Sequence, residues 1–121
     1  MQLGIRLHDI KKLPFEERIK EAHELGFSCG HLALGKVITE FSTDDGALTP
    51  GLAAYVRKVF EKNEVDIAVL GCYLNLANPN PEKLKQITHR YLAHIRFASL
   101  LGYDGYPEMQ KALQELIRGK L

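Results

Sequence analysis

This sequence has few of the features that mark membrane, nucleic-acid-binding or disulfide-stabilised proteins. Its 121 residues include only two cysteines, which have no CxxC spacing. Neither a disulfide framework nor a structural zinc site is expected from them. Sixteen basic and fifteen acidic residues are interspersed and give a formal net charge of +1. This balance argues against a nucleic-acid footprint and an anionic-membrane patch, so we expect no nucleic-acid and no membrane partner.

Long apolar segments are also missing. The longest, residues 65–76, is shorter than the roughly 20 residues that span a bilayer. Residues 1–12 have no basic region ahead of an apolar one, unlike a signal peptide. Cys29 and Cys72 lie inside apolar segments, which is typical of small buried side chains in a reducing compartment. Together these features predict a cytoplasmic protein with a single domain over residues 1–121.

What the sequence does contain is a repeated strand-helix pattern. Short apolar runs at residues 2–8, 27–34 and 65–76 are typical of strands. The third run is almost continuously apolar, which predicts a strand buried on both faces of a parallel sheet. The second is followed by a long polar loop at residues 35–46, a position where functional residues concentrate.

Amphipathic segments with helix start and stop signals follow the three strands. The start signals are Pro14, Thr49 with Pro50, and Asn80 with Pro81, and the stop signals include Gly26 and Gly102. A last helix is predicted over residues 107–118, with no clear strand before it. The predicted fold class is α/β in the order β-α-β-α-β-α-α. Its strands are expected to be parallel because crossovers of this kind are right-handed.

The third unit resembles a known family. In VLGCYLNLANPNPEKLKQ, residues 69–86, an apolar strand leads through a polar turn into a capped helix. This segment resembles the xylose-isomerase-like TIM-barrel family, which includes sugar phosphate isomerases and epimerases. HELGFSCGHLAL, residues 23–34, is similar to that family's passage from a helix into the second strand. The resemblance covers residues 2 to about 105 and implies a partial, truncated TIM-barrel-like (βα) repeat, because a whole barrel has eight units in roughly 250 residues.

The resemblance also implies a type of chemistry. Members that act on sugars generally hold a divalent metal (Mn, Mg, Co or Zn) with Glu, Asp and His residues at the ends of middle and late strands. Paired glutamates then move protons next to a carbonyl that the metal polarises. This chain has no strand-terminal Glu or Asp beyond the third strand. We therefore expect no metal site and no cofactor in it, and we assign no catalytic residue.

Four polar residues are candidates for binding a substrate at the carboxyl ends of the strands. His8 ends the first strand and His31 lies in the second, and each either lines a pocket or is a structural histidine. Tyr73 and Asn75 follow the third strand, where polar residues of a barrel often contact ligand. Asn75 has the alternative of hydrogen-bonding the turn. His89 and His94 are five residues apart, which does not place two metal ligands on one helix face.

These observations predict a sugar or sugar phosphate isomerase/epimerase-like protein with a small-molecule sugar as its partner, and whether this chain is itself an enzyme stays open. One alternative is a non-catalytic barrel fragment or minimal scaffold that folds by self-association. Another is a small flavodoxin-like binding module. Gly35 and Gly71 do not belong to a GxGxxG pattern, which disfavours a dinucleotide site. Three strands leave one sheet face and two edges uncovered, so we expect a homo-oligomer.

Overall fold

The computed structural model of this protein describes residues 3–72, 74 and 77–102, and within them short strands alternate with helices. The elements are, in chain order, β1 (Gly4–Arg6), α1 (Phe15–Glu24), β2 (Cys29–Ala33), α2 (Leu34–Val37), α3 (Pro50–Lys62), β3 (Asp66–Gly71) and α4 (Pro81–Leu100). Single turns of 3-10 helix, Leu7–Asp9 and Asp45–Ala47, lie after β1 and before α3. The helix predicted over residues 107–118 lies outside the described residues.

The strands form one parallel sheet in the order β1-β2-β3. The predicted α/β class and parallel strand-helix repeat are therefore confirmed. Since all three strands run the same way, their carboxyl ends share one edge of the sheet, and the connections that follow β1 and β2 lie there. No helix within the described residues combines the length and the apolarity needed to cross a membrane.

Side-chain caps begin the two long helices, as the sequence predicts. Asn80 accepts hydrogen bonds from the backbone N–H groups of Glu82 and Lys83 at 3.0 and 3.4 Å. Thr49 accepts one from the N–H of Leu52 at 3.2 Å. Each cap satisfies a donor that has no partner inside its helix, and the proline that follows has no N–H to satisfy.

Glycines end α1 and α4 in the left-handed region, also as predicted. Gly26 has φ 92° and Gly102 has φ 89°, a backbone conformation that costs other residues energy. The three- and four-residue spacing of Phe15, Ile19, Ala22 and Leu25 predicts that all four lie on the apolar face of α1. For Leu25 this prediction is wrong, because the residue is 57% exposed. Leu25 is the C-cap residue of α1, beyond the last turn whose face packs on the sheet.

One sheet face and the inner faces of the helices form the core. Its most deeply buried members are Leu7, Phe15, Ile19, Leu32, Leu34, Val37, Val56 and Phe97. Because side chains alternate along a strand, each strand sends every second side chain to this core and the others to the opposite face, here called the open face. Arg6, Cys29 and His31 belong to the open face.

A β-bulge in β3 decides which of its residues reach the core. Gly30 pairs with Ile67, but the next residue, His31, pairs with Val69, so Ala68 is an extra residue. Without the bulge, Ile67 and Val69 would share a face. With it, Ile67 is buried and Val69 is 51% exposed beside His31.

The third strand differs from its prediction in length and burial. It spans Asp66–Gly71 rather than residues 65–76. Burial on both faces is wrong, since Asp66, Ala68 and Val69 are exposed. The reason is that the helices among residues 3–102 that the structure describes cover one face of the sheet, and no further strand of this part of the chain packs against the other face.

The polar loop at residues 35–46 is partly helical, because it begins inside α2, a single helical turn over Leu34–Val37. Its apolar residues Val37 and Ile38 are buried. Two hydrogen bonds to other segments hold it. Glu40 accepts a hydrogen bond from the N–H of Phe15 at 3.1 Å. Farther along, Arg90 of α4 donates to the carbonyl oxygen of Thr43 at 3.0 Å. The loop is thereby fixed beside the carboxyl edge of the sheet.

Candidate functional site

The turn after β1 places His8 at the carboxyl edge of the sheet. Leu7, the residue before it, is fully buried and packs under Gly30 of β2. A Cβ on Gly30 would be 2.8 Å from Cγ of Leu7, so the glycine leaves room for this anchor. Because Leu7 points into the core, the next side chain, His8, is directed away from it and is only partly buried.

His31 reaches the same region from the open face of β2. Its ring lies over Gly71 at the end of β3, where a Cβ would stand only 2.6 Å from Nε2. The ring centroids of His31 and His8 are 5.9 Å apart with an interplanar angle of 65°, an edge-to-face contact. The structure therefore brings together the two predicted site histidines, which are 23 positions apart in the sequence.

The electrostatic surroundings of His8 favour its neutral form. Burial lowers the pKa of His8 below its ordinary value of 6.5. The positive charges of Lys36 and Arg6 act in the same direction, while Asp9 opposes them. His8 therefore lies in a locally cationic environment.

A pocket of about 430 Å³ opens beside His8 at the carboxyl edge. Its walls come from the connection between β1 and α1 and from the loop that follows β2. The residues that line it are His8, Ile10, Lys12, Arg18, Lys36 and Thr39. Small-molecule sites commonly have volumes of about 300–1,000 Å³ and often lie at this edge of parallel sheets.

His31 does not line that pocket. It borders a separate, shallower hollow of about 270 Å³ on the open face, together with Gly4, Arg6 and Ala68. The two histidines thus touch each other while facing different hollows. Of these two histidines, His8 lines the larger pocket.

The other two predicted site residues, Tyr73 and Asn75, lie outside the described residues. Cys72, just before them, has its pKa raised by burial, with a smaller opposing effect of the Arg90 charge and a raising effect of Asp45. The chain that leaves β3 thus starts close to Asp45 and Arg90, where the polar loop is held.

Within residues 3–72, 74 and 77–102, no three His, Cys, Asp or Glu side chains group closely enough to hold a metal ion. Asp45, an acidic residue of the polar loop, instead pairs with Arg90 at 3.0 Å. His94 is buried within α4 and hydrogen-bonds the carbonyl oxygen of Arg90 at 2.9 Å.

Sequence reasoning missed the basic residues of the pocket. Lys12 and Lys36 are exposed lysines, and nothing in the sequence around them distinguishes them from other surface lysines. Arg18 does carry one, since it lies among Phe15, Ile19 and Ala22 on the buried face of α1. A charged residue at a core position of an amphipathic helix is uncommon and indicates a specific role.

Comparison with protein-family models, with curated proteins and with solved structures finds no match to this chain. The resemblance to the xylose-isomerase-like family therefore stays a prediction.

Proposed function

We propose that this chain is a sugar isomerase/epimerase-like protein that binds a small sugar or sugar phosphate at the carboxyl edge of its sheet. The observation that carries this proposal is the pocket of about 430 Å³ beside His8. Two successive strand-helix connections form it, in the position where parallel α/β folds place ligands. The free thiols Cys29 and Cys72 fit a reducing compartment such as the cytoplasm.

The role of His8 in this proposal is to contact the ligand. Its imidazole is partly buried at the pocket wall and is held by the ring of His31. A neutral imidazole both donates and accepts hydrogen bonds, which suits the hydroxyl groups of a sugar. Replacing His8 by Gln introduces an amide that can also donate and accept hydrogen bonds, but it removes the ring and its contact with His31.

The test is a ligand-binding titration monitored by NMR with ketopentoses, ketohexoses and their phosphates. We expect saturable shifts at the pocket and a several-fold loss of affinity in the His8→Gln variant. His23→Gln makes the same chemical change on the exposed end of α1 and should bind like the parent protein. The absence of saturable binding to every sugar, or equal losses in both variants, would contradict the proposal.

We also propose that the chain self-associates through the open face of its sheet. Val69 is 51% exposed there, beside His31 on the central strand. Within the described residues β1 pairs only with β2, so its other side presents an unpaired backbone edge. A second copy packed face to face would cover Val69, and a twofold arrangement is the simplest closed solution.

Sedimentation velocity at micromolar concentration tests self-association. We expect a dimer for the parent chain and a monomer for Val69→Lys, because a lysine ammonium at the interface centre would lose its water. Leu25→Lys is the matched control, since Leu25 is 57% exposed but lies at the end of α1 and not on the sheet. A monomeric parent chain, or dissociation by both variants alike, would refute this proposal.

A further inference from the structure

Arg18 is a buried cation without a carboxylate partner in the described chain. Its side chain belongs to α1, is only 3% exposed and lines the pocket beside His8. Nη1 donates to the carbonyl oxygen of Lys36 at 3.3 Å, and Nη2 donates to that of Leu13 at 3.4 Å. Both bonds are long. Nε is buried and has no hydrogen-bond partner among the described residues.

This arrangement is costly unless something else compensates for it. A guanidinium stays protonated in proteins, so Arg18 cannot escape burial by losing its charge. Buried charges are normally paired, and a buried donor without a partner in a native structure needs an explanation. An anion in the pocket would supply the missing negative charge beside Arg18.

The rest of the pocket adds positive charge and no negative charge. Lys12 and Lys36 line it together with Arg18, and no Asp or Glu of the described chain is among its lining residues. Two of the carboxylates on the same two connections are engaged elsewhere. Asp9 pairs with Arg6 at 2.9 Å, and Glu40 accepts from the N–H of Phe15 at 3.1 Å.

We propose that this pocket is a phosphoryl-binding site in which Arg18 forms the floor and Lys12 and Lys36 form the rim. Three positive charges around one cavity match a phosphate monoester, which carries close to two negative charges, better than they match a singly charged carboxylate. Guanidinium N–H groups fit phosphate oxygens, and lysine ammonium groups bind them as point charges. The ligand class is therefore a phosphorylated small molecule whose phosphoryl group lies between Arg18 and the two lysines.

This inference deepens the proposed function and rests on it for the location of the ligand. The phosphoryl site itself does not depend on the ligand being a sugar. Inorganic phosphate is consequently the first probe, and an unphosphorylated ketose is the second. If phosphate binds but neither a ketose nor a ketose phosphate binds more tightly than phosphate itself, the phosphoryl site is retained and the sugar ligand is contradicted. Binding of a ketose without binding of phosphate would retain the sugar ligand and contradict the phosphoryl site.

The experiment measures thermal unfolding and calorimetric binding of phosphate at constant ionic strength, with chloride and acetate as comparison anions. Phosphate should raise the melting temperature in proportion to its occupancy, because it binds the folded state. Lys12→Gln combined with Lys36→Gln should weaken phosphate binding at least about tenfold, since each removes one charge-assisted contact. Equal effects of acetate and phosphate would overturn the phosphoryl assignment.

Lys11→Gln combined with Lys58→Gln is the matched control, because both lysines are exposed and neither lines the pocket. These changes remove the same net charge and should leave phosphate affinity within about twofold. If the control pair weakens binding as much as the pocket pair, phosphate binds through general electrostatics and the site is refuted.

Arg18→Met separates a ligand-binding role from a structural one. If Arg18 serves the anion, the methionine variant melts at or above the temperature of the parent chain without phosphate and loses the increase that phosphate produces. If Arg18 serves only to join the carbonyl groups of Leu13 and Lys36, the variant melts lower and still binds phosphate, which would contradict the proposal. If the Arg18→Met variant does not fold, the comparison of the Lys12/Lys36 variant with the Lys11/Lys58 variant tests the phosphoryl site without it.

Discussion

The imidazole of His31 lies against Gly71, so closely that a Cβ on Gly71 would stand 2.6 Å from Nε2 of the ring. Both residues belong to the open face, on the neighbouring strands β2 and β3. The missing side chain at Gly71 gives the ring room beside the end of β3, where it also meets His8. The geometry of the histidine pair therefore depends on a glycine in a third element.

The first prediction follows from this contact. Gly71→Ala should lower the free energy of unfolding by about 1–3 kcal/mol, because the added methyl overpacks the ring, and should shift the NMR signals of His31 and His8. Adding His31→Ala to this variant should recover most of the loss, since it removes the ring that the methyl strikes.

Gly46→Ala is the control for that substitution. A Cβ at Gly46 meets no atom within 4 Å, so its effect should stay within about 0.5 kcal/mol. Urea unfolding of the four chains measures all of these values. A Gly71→Ala chain as stable as the parent, with unchanged histidine signals, would show that the ring does not occupy this space.

The second prediction concerns the anchor of the polar loop. Arg90 donates to the carbonyl oxygen of Thr43 and to the carboxylate of Asp45, each at 3.0 Å. Because the Arg90 side chain is 30% exposed, we discount the ion pair for solvent screening and expect Arg90→Met to cost about 1 kcal/mol. Amide hydrogens of residues 43–47 should exchange faster in this variant.

Arg96→Met is the comparison for Arg90→Met, since Arg96 lies exposed on the same helix. It should leave exchange in residues 43–47 unchanged. Hydrogen-exchange mass spectrometry resolves the two cases. Equal acceleration in both variants would mean that the loop responds to helix stability and not to the Arg90 contact.

The third prediction is a loss of stability in mild acid. Burial lowers the pKa of His94 below its ordinary value of 6.5, and the nearby Arg90 charge contributes, although the hydrogen bond to the Arg90 carbonyl and the Asp45 charge oppose it. The unfolded chain therefore takes up a proton near pH 6.5, at which His94 in the folded chain is still neutral. Since the unfolded state binds more protons, the free energy of unfolding falls as the pH falls below about 6.5.

Urea unfolding at pH values of about 7.5 and 5.5 measures this dependence. His94→Gln should reduce the difference between the two values, because glutamine does not titrate. His89→Gln, which replaces an exposed histidine of the same helix, is the matched control. A parent chain that is more stable at the lower pH would contradict the sign derived from His94, and from His8, whose pKa is lowered as well.

The fourth prediction tests the cap of α4. Asn80→Ala removes the acceptor for two backbone N–H groups and should cost about 1 kcal/mol. Asn80→Asp keeps an acceptor and adds a negative charge at the helix N-terminus, so it should match the parent chain or exceed it slightly. Thermal unfolding distinguishes the two, and an alanine variant as stable as the aspartate variant would rule out the cap.

Sequence patterns located the helices well and the strand details less well. Asn80, Thr49, Gly26 and Gly102 act where they were predicted, because capping and left-handed turns involve residues within a few positions of one another. The third strand was predicted to be longer and buried on both faces. Neither its end at Gly71 nor the bulge at Ala68 follows from apolar residues alone.

In the candidate site, too, some features were predicted from the sequence and others were not. The positions of His8 and His31 at or near strand ends were readable from the residues, as was the parallel order that takes strand ends to one edge. The tertiary structure alone decided that the two rings meet and that Gly71 leaves room for one of them. It also decided that Arg18 is enclosed beside Lys12 and Lys36. The physical reason is that these contacts join segments far apart in the chain, whose distances are set by strand register and helix packing and not by the residues next to them.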